Sequence, residues 1–125
     1  MIQKLAATLL FCTTLFACKS DPKSFSFKEG AFKTYLENKT DSSYFYRTEK
    51  FQIETYQQKT DTFHITWKNR FEFHLKKQHP KTRLDSTKFI VKITKIKNNS
   101  YEFLGYYFGS NFKQKGSTFR LKDSP

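Results

Sequence analysis

Two histidines, His64 and His74, come nearest to the spacing of a metal site. They lie in two runs of alternating apolar and polar residues on either side of Lys68-Asn69-Arg70. If those three residues form a hairpin loop, the two imidazoles become cross-strand neighbours on the polar face. Two imidazoles can bind a transition metal, but two ligands alone make a weak site, and no carboxylate or thiol obviously joins them. We therefore expect exposed polar side chains here and no metal.

The carboxylates give little sign of a catalytic site. Glycosidase-type acid–base chemistry needs two carboxylates that converge, whereas the acidic residues here are few and scattered. They include Glu29, Glu37, Glu54, Glu72, Asp85 and Glu102. The sequence contains neither a Gly-x-Ser-x-Gly nucleophile elbow nor a Gly-rich phosphate loop. It therefore predicts a protein that is not an enzyme and that uses no cofactor.

The first 17 residues have the pattern of a secretory signal peptide. Lys4 is the only charge before position 19, and an uncharged apolar run from Leu5 to Ala17 follows it. A membrane-spanning helix needs about 20 apolar residues, so this run is too short to cross a bilayer. It has the length of a signal-peptide hydrophobic core. We expect residues 1–17 to be removed on export.

The segment Leu15-Phe16-Ala17-Cys18 resembles the lipobox of bacterial lipoproteins. The resemblance implies cleavage before Cys18 and a membrane anchor of two or three acyl chains on that residue, each buried methylene contributing about 0.8 kcal/mol. Cys12 would leave with the signal peptide, so the mature domain would contain no thiol, disulfide or thiolate ligand. Lys19 and Ser20 lack the aspartate that marks inner-membrane retention in some bacteria. The sequence therefore predicts an exported envelope protein, held at the outer membrane rather than the inner.

The mature chain is strongly basic. Removal of Lys4 lowers the Lys and Arg count from 23 to 22 against 11 Asp and Glu, a net charge of +11. Such a charge favours contact with lipid headgroups, lipopolysaccharide or acidic glycans, or it is a solvated basic exterior. A set of lysines near aromatic residues could track a phosphate backbone, namely Lys88, Lys92, Lys95, Lys97, Lys113 and Lys115. Because export argues against an encounter with nucleic acid, we expect no nucleic-acid partner.

Residues from about Phe27 alternate between apolar and polar with a period of two, which predicts antiparallel strands with one face on a core. Examples are Phe63-Ile65-Trp67, Phe71-Phe73-Leu75 and Phe51-Ile53, taken as inward-facing sets. Turn residues between the runs divide the chain into about eight strands. The predicted strands are 27–37, 43–48, 51–58, 61–68, 70–77, 87–97, 100–109 and 112–122.

This pattern predicts one all-β domain over residues 27–123, an antiparallel meander that forms a small barrel or a sandwich. Residues 18–26 would be the lipidated Cys and its tether. A barrel that binds a small apolar ligand would have an internal cavity, whereas a structural module would have a filled interior. The 15 Phe residues favour the filled interior, because large rings consume the volume of a small barrel.

Four aromatic residues are the candidates for lining a ligand site: Trp67, Phe73, Phe103 and Tyr107. Two of them belong to a patch, Tyr101 to Phe108, in which both faces of the predicted strand are apolar. A strand buried on both sides has this pattern, and so does a surface that binds a ligand or a partner. The predicted partners are therefore the membrane, a small apolar ligand or protein, or an anionic envelope polymer.

Several motifs resemble a family of small Bacteroidota lipoproteins of unknown function. They are Lys28-Glu29-Gly30-Ala31-Phe32, Tyr56-Gln57-Gln58-Lys59, Trp67 with Phe73-His74-Leu75, and Lys115-Gly116. Members sometimes carry the label "DNA topoisomerase IV", but this chain has neither the length nor the ATP site or acidic metal cluster of such an enzyme. Gly30-Ala31-Phe32 also resembles the Gly-x-Trp opening of lipocalin-like barrels, which implies a small apolar ligand at the barrel mouth.

Overall fold

A computed structural model describes residues 27–37 and 41–121. The predicted signal peptide, Cys18 and the tether lie outside these residues. Eight strands follow one another along the chain: β1 (Gly30–Leu36), β2 (Ser42–Arg47), β3 (Phe51–Tyr56), β4 (Lys59–Asn69), β5 (Glu72–Lys77), β6 (Phe89–Ile96), β7 (Ser100–Tyr107) and β8 (Gln114–Arg120). The described residues contain no helix that could span a membrane.

The strands pair antiparallel in chain order, and β1 also pairs with β8, which closes the sheet into a barrel. The predicted all-β, eight-strand antiparallel meander is confirmed, and the choice between barrel and sandwich is settled in favour of the barrel. Closure leaves none of the eight strands with an unpaired edge. Each of the eight strands therefore has a paired neighbour on both sides within the barrel.

Two hairpin turns differ from the predicted positions. The turn between β3 and β4 lies at Gln57-Gln58, two residues before the predicted Lys59–Asp61, and both glutamines have positive φ angles of 47° and 67°. A two-residue turn of this kind usually carries Asn-Gly or Asp-Gly, so Gln-Gln gives no sequence signal for it. The turn between β4 and β5 lies at Arg70-Phe71, where the Asn69 side chain accepts the Phe71 N–H at 2.8 Å.

The barrel has two unlike ends. Antiparallel pairing puts the start of β1 and the ends of β2, β4 and β8 at one end, which we call the plugged end. There Phe27 is fully buried, with its ring 5.0 Å from that of Tyr101. The opposite end, which we call the mouth, carries the ends of β3, β5 and β7. The hydrophobic core comprises Phe27, Phe32, Phe45, Ile65, Phe73, Leu75, Val91, Ile93, Tyr101 and Phe103.

Strand β3 faces the opposite way from the prediction. Its polar residues point inward: Gln52 is 4% exposed, whereas Ile53 is 37% exposed. The register explains this, because Glu54 pairs with inward-facing Phe45 and Gln52 pairs with Phe63. Phe51 lies outside with its ring 4.9 Å from that of His64. The neighbouring strands therefore fix the face of β3, and one wall of the barrel interior is polar.

Candidate functional site

A cavity of about 490 Å3 occupies the barrel interior above the plugged end and opens at the mouth. All eight strands contribute side chains to its wall. The apolar part of the wall includes Phe45, Phe63, Phe73, Leu75, Phe89, Val91 and Phe103. The polar part includes Arg47, Gln52, Glu54, Asp61, Lys77, Tyr101 and Thr118. The expectation that Phe side chains fill the interior is therefore wrong.

Two glycines explain why so many rings leave space. The ring of Phe89 lies against Gly105, where a Cβ would stand 2.7 Å from the Phe89 Cζ atom. The ring of Phe103 lies in the same way against Gly116, where a Cβ would stand 2.5 Å from the Phe103 Cζ atom. Both distances are too short for real contacts. The missing side chains let the rings lie along the wall rather than across the lumen.

The floor of the cavity is built around Arg47, which is only 1% exposed. Its guanidinium donates from Nε to Gln52 Oε1 at 2.9 Å, from Nη1 to the Phe27 carbonyl at 2.8 Å and from Nη2 to Tyr101 Oη at 2.8 Å. Five rings surround it, the nearest being Phe73, whose centroid is 4.4 Å from Cζ. Arg47 thus joins the core, the plug and the cavity floor.

No carboxylate pairs with Arg47 within residues 27–37 and 41–121. Burial lowers the pKa of the guanidinium below its ordinary value; the Tyr101 hydroxyl opposes the shift, and the charge of Arg120 adds to it. An arginine nevertheless stays protonated in proteins. The aromatic faces around Arg47 stabilise part of its charge through cation–π contacts, so the floor is cationic.

The mouth has the opposite charge. Glu54 lies partly buried beside Asp61; burial raises the pKa of its carboxyl, a hydrogen bond with Ser43 opposes the rise, and the charge of Asp61 adds to it. Lys77 Nζ lies 3.6 Å from Asp61 and 3.7 Å from Asp85. All four of these charged residues line the cavity together with Asp41. A protein with a net charge of +12 therefore has a mainly acidic entrance to its cavity.

Three of the four predicted ligand-lining residues, Phe73, Phe103 and Tyr107, line the cavity. Trp67 does not. Its ring packs 4.7 Å from Phe73 at the plugged end, and its buried indole N–H has no hydrogen-bond partner among the described residues. Whether these residues bind a ligand stays a prediction.

The predicted cross-strand histidine pair is wrong. Thr66 is the residue opposite His74, and His64 pairs with Lys76, because the β4–β5 turn is shorter than predicted and a bulge lies between Trp67 and Asn69. His74 Nε2 instead lies 2.9 Å from Glu72. The described residues hold no group of three or more candidate metal ligands.

The aromatic patch of β7 is divided by strand alternation. Tyr101 and Phe103 are buried inside the barrel, Phe108 is exposed beyond the strand, and Tyr106 lies on the outer face. The Tyr106 ring is 5.2 Å from Lys113 Nζ and 6.0 Å from Lys92 Nζ. The patch is therefore not a single surface.

Arg47, Gln52 and Tyr101 were not predicted from the sequence to form a group at the cavity floor. A signal for Arg47 existed, because Tyr44-Phe45-Tyr46-Arg47 puts Arg47 on the same face as Phe45. No comparable signal existed for Gln52, whose inward position depends on the register of β3.

No protein-family model matches this chain, and neither a characterised protein nor a solved structure shows significant similarity to it. The resemblance to Bacteroidota lipoproteins stays a prediction.

Proposed function

We propose that this protein is an exported envelope lipoprotein, anchored through lipid on Cys18, whose barrel binds a small and largely apolar ligand. The single observation that carries the ligand-binding part is the cavity of about 490 Å3. Its size lies within the roughly 300–1,000 Å3 of small-molecule sites, and aromatic rings with a few placed polar groups are the lining such sites have. The alternative of a purely structural module has less support, since that module needs a filled barrel.

The attachment point of the tether supports an orientation for this binding. Phe27 is held at the plugged end by its carbonyl, which accepts from Arg47. A lipid anchor upstream of Phe27 therefore joins the barrel at the end opposite the mouth. In the proposed arrangement the mouth faces away from the anchoring membrane, where it can exchange ligand with other envelope components.

Native mass spectrometry of residues 19–125, which include the complete barrel, tests the binding. Protein produced in its own host should retain a co-purifying small apolar molecule. A clean mass of the bare chain, together with no binding of a neutral apolar fluorophore, would count against the ligand-binding barrel.

The anchor has a separate test. Because the acyl chains on Cys18 would be the only membrane attachment in the proposal, Cys18→Ser should release the mature protein from the membrane fraction. Cell fractionation with immunoblotting measures this. A variant that is uncleaved and still membrane-bound would contradict the lipoprotein proposal.

A second candidate function rests on the outer face of β6–β8. Lys92 and Lys113 lie beside Tyr106, and Lys115 follows on β8. We infer a weaker candidate role here, contact with anionic envelope polymers such as lipopolysaccharide. Lys92→Glu with Lys113→Glu should then abolish salt-sensitive binding to lipopolysaccharide, while leaving fluorophore binding in the cavity unchanged.

A further inference from the structure

The hydrogen bonds of Arg47 fix the orientation of two cavity residues. A guanidinium can only donate, so the Gln52 atom 2.9 Å from Nε must be the amide oxygen. The Gln52 Nε2 group, the donor of the same amide, is then not bound to Arg47. In the same way the Tyr101 oxygen accepts from Nη2 at 2.8 Å, which leaves its own O–H free to donate. Arg47 thus binds an acceptor atom of each residue, and the donors of both residues, Gln52 Nε2 and the Tyr101 O–H, remain available.

Within the part of the chain that the structure describes, neither remaining donor has an acceptor. Both residues line the cavity, and both are almost fully buried, Gln52 at 4% and Tyr101 at 1% exposure. Gln52 Nε2 is not one of the enclosed unpaired polar atoms of the described residues, which are Trp67 Nε1 and Arg120 Nη2, so it is open to a partner in the cavity. Nε and Nη2 lie on the same edge of the guanidinium, so the two donors belong to one small region of the floor.

The positive charge of the cavity floor favours an anionic acceptor for these two donors. Arg47 has no carboxylate partner among the described residues, and Arg120 is a second cation nearby. A buried charge is normally paired. An anionic oxygen acceptor would complete both the hydrogen bonds and the charge balance, and two donors above one guanidinium match the two oxygens of a carboxylate.

We propose that the cavity binds a carboxylate amphiphile of the fatty-acid type with its head at the floor. The two carboxylate oxygens accept from Gln52 Nε2 and Tyr101 Oη, above Arg47. The apolar tail runs between the Phe rings towards the mouth. This inference rests on the proposed ligand-binding function and names the chemical class of its ligand.

The mouth supports this direction of binding. A carboxylate placed there would lie among Asp41, Glu54, Asp61 and Asp85, with Lys77 as the one cation of the described cavity wall at that level. Like charges repel it from the mouth, whereas Arg47 attracts it to the floor. Tyr56 lies four positions after Gln52 along β3, a strand length of about 13 Å, which is enough for a medium-length acyl chain.

Competition against a neutral probe tests the proposal. Residues 19–125 are loaded with the fluorophore N-phenylnaphthylamine, which is then displaced by dodecanoate, methyl dodecanoate or dodecylammonium at pH 8. Dodecanoate should displace the probe at least about tenfold more effectively than the ester, the size expected for hydrogen bonds to a charged group. Equal displacement by all three, or preference for the ammonium compound, would overturn the carboxylate proposal and leave the ligand-binding function standing. A probe that does not bind would overturn both.

Two variants locate the carboxylate. Tyr101→Phe removes one donor and should lower the preference for dodecanoate over its ester about tenfold. The matched control is Tyr46→Phe, which removes the same hydroxyl on the outer face of β2, where Tyr46 is 41% exposed and does not line the cavity. It should leave the preference unchanged.

Gln52→Glu places a carboxylate of the protein itself beside Arg47 and should abolish the preference for dodecanoate while the neutral probe still binds. It should also raise the melting temperature, a readout that does not depend on ligand. Full retention of the carboxylate preference in both Tyr101→Phe and Gln52→Glu would contradict the assigned floor site.

Discussion

The plugged end and the mouth are built by the same eight strands but hold their polar groups in opposite ways. At the plugged end, Arg47 is buried and its three nitrogens donate to fixed partners. At the mouth, Lys77 makes ion pairs of 3.6 Å and 3.7 Å whose side chains are partly in solvent. Solvated pairs contribute about 0–1 kcal/mol, whereas breaking a buried network costs several. Substitutions at the plugged end should therefore lower the unfolding free energy more than substitutions at the mouth, where polar residues can take part in binding at little cost in stability.

The largest expected effect comes from Arg47→Ala. The change leaves Gln52, Tyr101 and the Phe27 carbonyl without their donor and opens a void among the rings, so unfolding free energy should fall by roughly 3–5 kcal/mol. Urea denaturation followed by tryptophan fluorescence measures it. The control, Lys76→Ala on the outer face, should change stability by less than about 0.5 kcal/mol. A loss below about 1 kcal/mol for Arg47→Ala would break the distinction between the two ends.

Removal of the plug should have the next largest effect. Phe27 is fully buried and contacts Phe32 and Tyr101, so Phe27→Ala should destabilise the barrel by about 3 kcal/mol through lost burial and a residual void. Thermal unfolding by circular dichroism provides the measurement. Phe112→Ala, at a side chain that is 76% exposed, is the matched control and should have almost no effect.

A methyl group added at Gly105 should affect both stability and binding. The new Cβ would push the Phe89 ring into the lumen, so Gly105→Ala should cost roughly 1–3 kcal/mol and weaken binding of the neutral fluorophore. Binding and denaturation curves are both needed. Unchanged fluorophore affinity would show that the ring position does not control the cavity.

The smallest effect is expected at the mouth. Because the pKa of Glu54 is raised in the folded protein, the folded state holds its proton to higher pH than the unfolded state does. Stability therefore falls as pH rises from the ordinary value of about 4.5 through the folded value, and the deficit persists above it. Glu54→Gln should remove this fall and give a slightly higher melting temperature at pH 7. Identical melting curves from pH 4 to pH 8 would contradict a buried, charge-disfavouring Glu54.

Most of the fold could be predicted from local pattern, but the site could not. All eight strands lie within a few residues of their predicted positions, since alternation and turn residues are local signals. Of the four residues predicted to line a ligand site, Phe73, Phe103 and Tyr107 line the cavity and Trp67 does not. The histidine register failed because one bulge and a shorter turn shift every pair beyond them.

The sequence by itself determined the strand content, the order of the strands and the basic charge, because each depends on residues that are neighbours along the chain. Tertiary structure decided which face of β3 points inward, since that depends on the register with β2 and β4 and not on the alternation of Phe51 and Ile53. It also decided that Phe89 and Phe103 lie along the wall, because the glycines that admit them belong to other strands. Long-range pairing thus turned a Phe-rich chain into a barrel with an open cavity and a cationic floor.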